Sequence, residues 1–194
     1  RTYDLQSTNA GLFDTLGVMG HITHQYAAPW TYTIRIRGDF SAIEFGGSTR
    51  DAHKLIRVDQ WGDTYWKSLN FAFSNCDSLL SVGTDDIRLD SLNNLGLWGM
   101  FYNCSKFNSN IDHWDVSSIN NLTEMFANAS SFNSPLNSWD VSGVGSMYGT
   151  FLGATSFNQA LSNWDVSSVT HMNQMFDGAA AFNQNLNNWD VSNV

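Results

Sequence analysis

Asp115, Asp140, Asp165 and Asp190 recur at intervals of 25 residues, each inside a Trp-Asp-Val-Ser box. If successive repeats stack about 4.8 Å apart, these carboxylates form a file of like charges. Two arrangements relieve the repulsion. Calcium could bridge adjacent carboxylates, because a hard cation wants several oxygen ligands. Alternatively, each Asp accepts hydrogen bonds from amides of its own turn, which stabilises the ionised form without metal. The flanking Trp and Val supply no oxygen and no Asp-x-Asp-x-Asp loop is present. The spacing therefore favours the second arrangement, with the same four Asp as the ligands if calcium is bound.

A second set of side chains is neutral. Asn108, Asn133, Asn158 and Asn183 repeat in phase and would form a structural amide ladder. The exposed candidates for a ligand surface are Asn137, Ser138, Ser162, Asn163, Asn187 and Asn188, with Ser109, Ser134, Gln159 and Gln184 nearby. Small neutral groups of this kind suit protein backbone or sugar hydroxyls better than a charged ligand.

Other chemistry is thin. Arg37-Gly38-Asp39 is an integrin-type tripeptide, but it directly follows an alternating strand, where Gly-Asp serves as an ordinary turn. Asn103, Asn121 and Asn128 head Asn-x-Ser/Thr sequons, which come cheaply in a chain with 44 Asn and Ser among 194 residues; glycosylation is not inferred. Histidines 21, 24, 53, 113 and 171 lack zinc spacing with Cys or acidic partners. No Gly-x-Ser-x-Gly elbow, phosphate loop or paired nucleophile and base occurs, so no catalytic residue is assigned and no enzyme is expected. Cys76 and Cys104 share a repeat column with Ala129, Ala154 and Ala179, which fits small buried thiols; a disulfide between stacked repeats needs suitable Cβ geometry.

The elements that hold these groups follow from the repeat itself. Phe107-Asn108, Phe132-Asn133, Phe157-Asn158 and Phe182-Asn183 share the period of the boxes, as do Phe101, Phe126, Phe151 and Phe176. A fixed period of this length signals a solenoid, in which neighbouring units supply one another's core. Ile119, Leu122, Met125, Phe126 and Ala129 are spaced as one face of a short helix, while Phe132 to Trp139 reads as extended chain. The expected fold is α/β: a right-handed leucine-rich-repeat-type solenoid with one short strand and one short helix or 3-10 segment per coil. The solenoid would occupy residues 51–194, about five coils plus a truncated sixth, with three extra residues near Gly83-Thr84-Asp85-Asp86. Val194 aligns with Ile119, Val144 and Val169, so further coils and an anchor are expected to follow. Residues 1–50 do not repeat. There, Tyr32, Ile34 and Ile36 alternate as a half-buried strand, and the segment would form a small β-structured N-terminal cap.

Charge narrows the partners. Charged residues are 14% of the chain against roughly 25% in typical soluble domains, and the net charge is −9. All nine Lys and Arg lie at or before Lys106. Nucleic acid, whose phosphates require neutralisation, is an improbable partner, and anionic membrane surfaces are disfavoured for the same reason. No apolar run is long enough to span a bilayer, so membrane insertion is not expected for these residues.

The unit Phe-Asn-x-x-Leu-x-x-Trp-Asp-Val-Ser-x-Val-x-x-Met-x-x-Met-Phe resembles the bacterial surface proteins with BspA-type leucine-rich repeats, and Ala27 to Ile34 resembles the closing strands of a PKD-like β-sandwich. Thr150 and Gly145 depart from the repeat pattern. The resemblance implies an extracellular or cell-surface location and an adhesion or interaction role, with a protein of a host or neighbouring cell, or a surface glycan, as partner. It implies no cofactor and no catalytic residue. A structural spacer projecting other domains is the alternative, and an ice or crystal-surface binder a further one.

Overall fold

The structure, a computed structural model, describes residues 4–7, 12–13, 34–37, 42–45, 51–90 and 95–194. His21, His24, Trp30, Tyr32, and Gly38-Asp39 of the integrin-type tripeptide lie outside the described residues. By contacts the chain divides into Arg1–Phe40 and Ser41–Val194. In the first unit β1 (Asp4–Ser7), β2 (Leu12–Phe13) and β3 (Ile34–Arg37) form an antiparallel sheet in the order β2-β1-β3. Leu5 lies opposite Phe13 on one side and Ile36 on the other.

In the second unit equivalent residues of successive repeats face one another. β4 (Leu95–Gly96) and β5 (Ile119–Asn121) pair in parallel, and single bridges carry the pairing on from Asn121 to Ser146 and from Ser146 to His171. A regular set of peptide bonds then takes over. The amides of Leu122, Glu124, Phe126 and Asn128 donate to the carbonyls of Ser146, Tyr148, Thr150 and Leu152 at 2.9, 2.8, 2.9 and 2.6 Å. Leu97, Gly99, Phe101 and Asn103 donate in the same way to Asn121, Thr123, Met125 and Ala127, and Met147, Gly149, Phe151 and Gly153 to His171, Asn173, Met175 and Asp177. Four peptide units per repeat therefore point their N–H groups forward and their carbonyls back. The intervening amides close short turns on their own chain: Met125 N–H to Leu122 O at 3.1 Å, Ala127 to Glu124 at 3.1 Å, and Ala129 to Phe126 at 3.0 Å.

Where a short helix or 3-10 segment is expected, Ile119 to Ala129 forms this run of turns. An α-helix would spend each amide on the carbonyl four residues earlier in its own chain, leaving none for the next repeat. The 3,3,1,3 spacing of apolar residues is met equally well by consecutive turns, so Ile119 to Ala129 keeps its inward face without helical bonding. Among the described residues the one helical segment is the 3-10 turn Ala52–Lys54. Nor does Phe132 to Trp139 carry a strand. The inter-repeat backbone ladder lies on 119–128, the side expected to be helical.

Turning alternate peptides through the stack requires left-handed residues at two positions of each repeat. The first column holds Phe71, Gly99, Glu124, Gly149 and Gln174, with φ of 55°, 57°, 52°, 58° and 58°. The second holds Asn75, Asn103, Asn128, Gly153 and Gly178, with φ of 62°, 59°, 59°, 65° and 72°. Asn and Gly tolerate this region at little cost, whereas Phe, Glu and Gln are strained there by about 1–2 kcal/mol each. Both columns lie on the backbone ladder, whose bonds hold them in place.

The core consists of files of rings. Phe73, Phe101, Phe126, Phe151 and Phe176 stack at 5.6 to 5.8 Å, and Phe107, Phe132, Phe157 and Phe182 at 5.7 to 5.9 Å, with planes within 13° throughout. Trp139, Trp164 and Trp189 stack at 6.4 Å. Their indole N–H groups donate to carbonyls 28 residues earlier, at Ile111, Leu136 and Leu161. Trp114 is equally buried, yet its indole nitrogen has no acceptor. In the long repeat before it, Asp85 turns in to accept the amides of Trp61 and Gly62 at 2.8 and 3.0 Å, and the Trp61 ring meets Trp114 edge-on at 5.4 Å. Thr150, which breaks the methionine column, is fully buried and donates its hydroxyl toward the carbonyls of Leu122 and Met147.

The two glycine environments give opposite expectations. A Cβ on Gly99 would stand 2.5 Å from the Phe71 ring in a left-handed conformation, while one on Gly145 meets nothing nearer than 3.8 Å. Gly99→Ala should lower the unfolding free energy by roughly 1–3 kcal/mol and Gly145→Ala should change it by less than about 0.5 kcal/mol, measured by urea denaturation.

Candidate functional site

The carboxylate file is built from four identical turns. In each, the Asp Oδ1 accepts the amide of the Ser two residues on: Ser117 at 3.1 Å, Ser142 at 3.1 Å, Ser167 at 3.0 Å and Ser192 at 3.0 Å. In the first three the Ser hydroxyl adds a bond of 2.6 or 2.7 Å to the same oxygen. All four Asp are exposed. The hydroxyl and then the amide of the neighbouring Ser hold Asp140 and Asp165 below the usual aspartate range, Ser192 lowers Asp190 likewise, and for Asp140 the Asp165 charge opposes this only weakly. No cluster of three or more His, Cys, Asp or Glu able to hold a metal occurs among the described residues. What these turns can do is order their own backbone.

The asparagine file is a true ladder. Asn108 Oδ1 accepts the amide of Asn133, Asn133 that of Asn158, and Asn158 that of Asn183, each at 2.9 Å. This ladder gives Phe132 to Trp139 its link to the repeat before it, where the backbone ladder is missing. Two residues expected on the ligand surface are drawn into it: Gln159 Nε2 donates to Asn133 Oδ1 at 3.1 Å and Gln184 Nε2 to Asn158 Oδ1 at 2.9 Å, both half-buried. Ser134 is buried with its hydroxyl on Asn108 Oδ1, and Ser109 is buried against the Val82 backbone. Asn103 and Asn128, heads of two sequons, join a further ladder with Asn75 through their side-chain amides.

The remaining candidates lie at the molecular surface in successive repeats. Ser138, Ser162, Asn163, Asn187 and Asn188 are exposed, and Asn137 is half-buried with its Oδ1 accepting the amide of Asn163 at 3.0 Å. That bond holds the Asn137 side chain against the backbone of the following repeat. The family profile described as "Mycoplasma protein of unknown function, DUF285" matches residues 95–194, the segment that carries this surface and all four Asp turns. The chain belongs to the DUF285 family. No curated protein and no solved structure matches it. Among the described residues, no helix is long and apolar enough to cross a membrane.

Cys76 and Cys104 are free thiols, fully buried in their small-residue column, with Cys104 Sγ 3.0 Å from Phe73 O. Burial, with a smaller contribution from Asp77, pushes Cys76 up to about 12, and burial raises Cys104 further. The thiolate is the reactive form, so both are inert at neutral pH. What the sequence reading passed over is the left-handed edge, where Trp98 and Tyr148 are exposed in one column. The available signal was an aromatic followed by glycine, Trp98-Gly99 and Tyr148-Gly149, in alternate repeats.

Two measurements check these assignments. Because the folded-state pKa of Asp140 is lowered, the help its ionised form gives to folding is complete above the ordinary aspartate value and vanishes as the pH falls through the lowered one. Ser142→Ala should move the Asp140 titration midpoint upward in carboxyl-detected NMR and leave that of Asp190 in place. A thiol-alkylating reagent at pH 8 should label neither cysteine in the native protein within the time that labels both in denaturant, as read by mass spectrometry.

Proposed function

We propose that this DUF285 chain is an extracellular or cell-surface interaction module whose repeats form a right-handed leucine-rich-repeat-type solenoid of the BspA kind, presenting a neutral polar platform to a protein or glycan partner. The observation that carries this reading is the register of the exposed pairs Asn137-Ser138, Ser162-Asn163 and Asn187-Asn188, one repeat apart, with Asn163 pinned by Asn137. A backbone held in register lowers the ordering cost of binding, so a modest contact from each repeat adds up over the array. The amides and hydroxyls match peptide groups or sugar hydroxyls, and the absence of Lys and Arg after Lys106 is unsuited to phosphate. The BspA resemblance supports the surface location, and the reading is of binding and not of catalysis.

A second reading, a spacer that holds other domains away from a surface, is favoured by the way Gln159, Gln184 and Asn137 spend polar atoms on neighbouring repeats. The two readings part in a screen against matrix proteins, cell surfaces and glycan arrays. On the platform reading a partner is captured, and Asn163→Arg with Asn188→Arg reduces its binding at least tenfold without changing the unfolding midpoint. Capture that is indifferent to those substitutions, or no capture at all, would leave the spacer.

A further inference from the structure

A different face of the molecule carries aromatic rings with a carboxylate beside them. On the left-handed edge the column Asn70, Trp98, Thr123, Tyr148, Asn173 runs next to the column Phe71, Gly99, Glu124, Gly149, Gln174. Bulk alternates between the two. Where the first column has an aromatic the second has glycine, and where the second has a large side chain the first has a small polar one. The structure shows why the exchange is needed. The Phe71 ring lies 4.9 Å from Trp98 at 53°, in space that a Cβ on Gly99 would occupy at 2.5 Å, and Glu124 Cγ lies 3.3 Å from where a Cβ on Gly149 would be.

The result is a buttressed but open ring surface. Trp98 is 42% and Tyr148 37% exposed, although each is tied to the repeat that follows. Trp98 Nε1 donates to Glu124 Oε2 at 3.4 Å, and Tyr148 donates its hydroxyl to Gln174 Oε1 at 2.7 Å. Between them Thr123 is engaged with Ser146 through its hydroxyl at 2.8 Å. The two aromatics are two repeats apart, about 10 Å at the spacing of a parallel ladder.

The charge around these rings selects the ligand. Aromatic faces attract cations through the ring quadrupole, and a carboxylate beside them adds a direct charge attraction. Glu124 supplies that carboxylate at Trp98, Asp177 lies exposed further along the same edge, and no Lys or Arg follows Lys106 in a chain of net charge −9. We propose that this edge binds a basic, extended polypeptide segment, seating its Lys or Arg side chains on Trp98 and Tyr148 with Glu124 as the counter-charge. A polyproline-type segment brings every third residue to the same side at about 9 Å, close to the two-repeat spacing of about 10 Å along a parallel ladder. This surface is separate from the Asn and Ser platform and does not depend on it.

The test uses the whole chain and a synthetic peptide of repeated Pro-Pro-Arg, titrated by calorimetry at low and at physiological salt. The expected result is binding that weakens with salt, falls roughly three- to tenfold in Trp98→Ala, and falls comparably in Glu124→Gln, a surface change that leaves the ring packing in place. Asp140→Asn with Asp165→Asn should bind as the unaltered chain does. The proposal is overturned by no binding at low salt, by Trp98→Ala and Glu124→Gln binding undiminished, by an equal loss in the Asp140/Asp165 variant, which would mean diffuse charge attraction, or by salt-independent binding of a neutral oligosaccharide at Trp98 in place of the peptide.

Discussion

The second unit depends on one constraint, that four peptide planes in every repeat lie along the direction of stacking. Once Leu122, Glu124, Phe126 and Asn128 point their amides at the next repeat, the peptides between them must turn across the stack and bond within the chain. A right-handed helix cannot do this, because all its peptides point one way along its own axis. The chain solves the problem with a left-handed residue at two places per repeat, and those two places have consequences for everything on that edge. They explain Asn75, Asn103 and Asn128 followed by Gly153 and Gly178, and they bring Phe71, Glu124 and Gln174 into a region that such residues seldom occupy.

The opposite side of each repeat is joined by different means. From Ser131 onward the bonds run backward: Ser131 N–H reaches Ser105 O, Asn133 N–H reaches Asn108 Oδ1, and Trp139 Nε1 reaches Ile111 O. Forward peptide bonds on one side and backward side-chain bonds on the other clamp each pair of repeats across a core of stacked rings. The peptide ladder survives the 28-residue interval between Phe73 and Phe101, since Phe73 N–H still meets Met100 O, whereas the indole of Trp114 is left without its carbonyl.

The sequence displayed the period, the buried columns and the Asp turns, because each of these is a statement about residues 25 apart and requires no knowledge of backbone direction. The small column at Cys76, Cys104 and Ala129 is one example, buried at every member. Helix and strand were not legible for the same reason. Apolar spacing in Ile119 to Ala129 records which side chains face inward, and a helix and a run of turns share that record. The decisive information lay in the left-handed positions, and three of the ten are disguised as Phe71, Glu124 and Gln174. Among the candidate ligand contacts, exposure of Asn163 and Asn188 followed from their place beside Trp164 and Trp189. The diversion of Gln159 and Gln184 into the asparagine ladder did not, because it depends on how far a long amide reaches toward the preceding repeat.

The carboxylate file shows how short-range bonding can outweigh a longer-range repulsion. At a strand spacing of about 4.8 Å, nearest neighbours in the file fall within the Debye length of about 8 Å at physiological salt and more distant ones do not. Each carboxylate is open to water on its outer side, which weakens that repulsion further, while its Oδ1 is held by donors of its own turn. The order of the effects on Asp140 makes the balance explicit: the Ser142 hydroxyl first, the Ser142 amide second, and the Asp165 charge last. The Ser of the Trp-Asp-Val-Ser box, a residue with no charge, is thus the largest influence favouring the ionised forms of Asp140, Asp165 and Asp190.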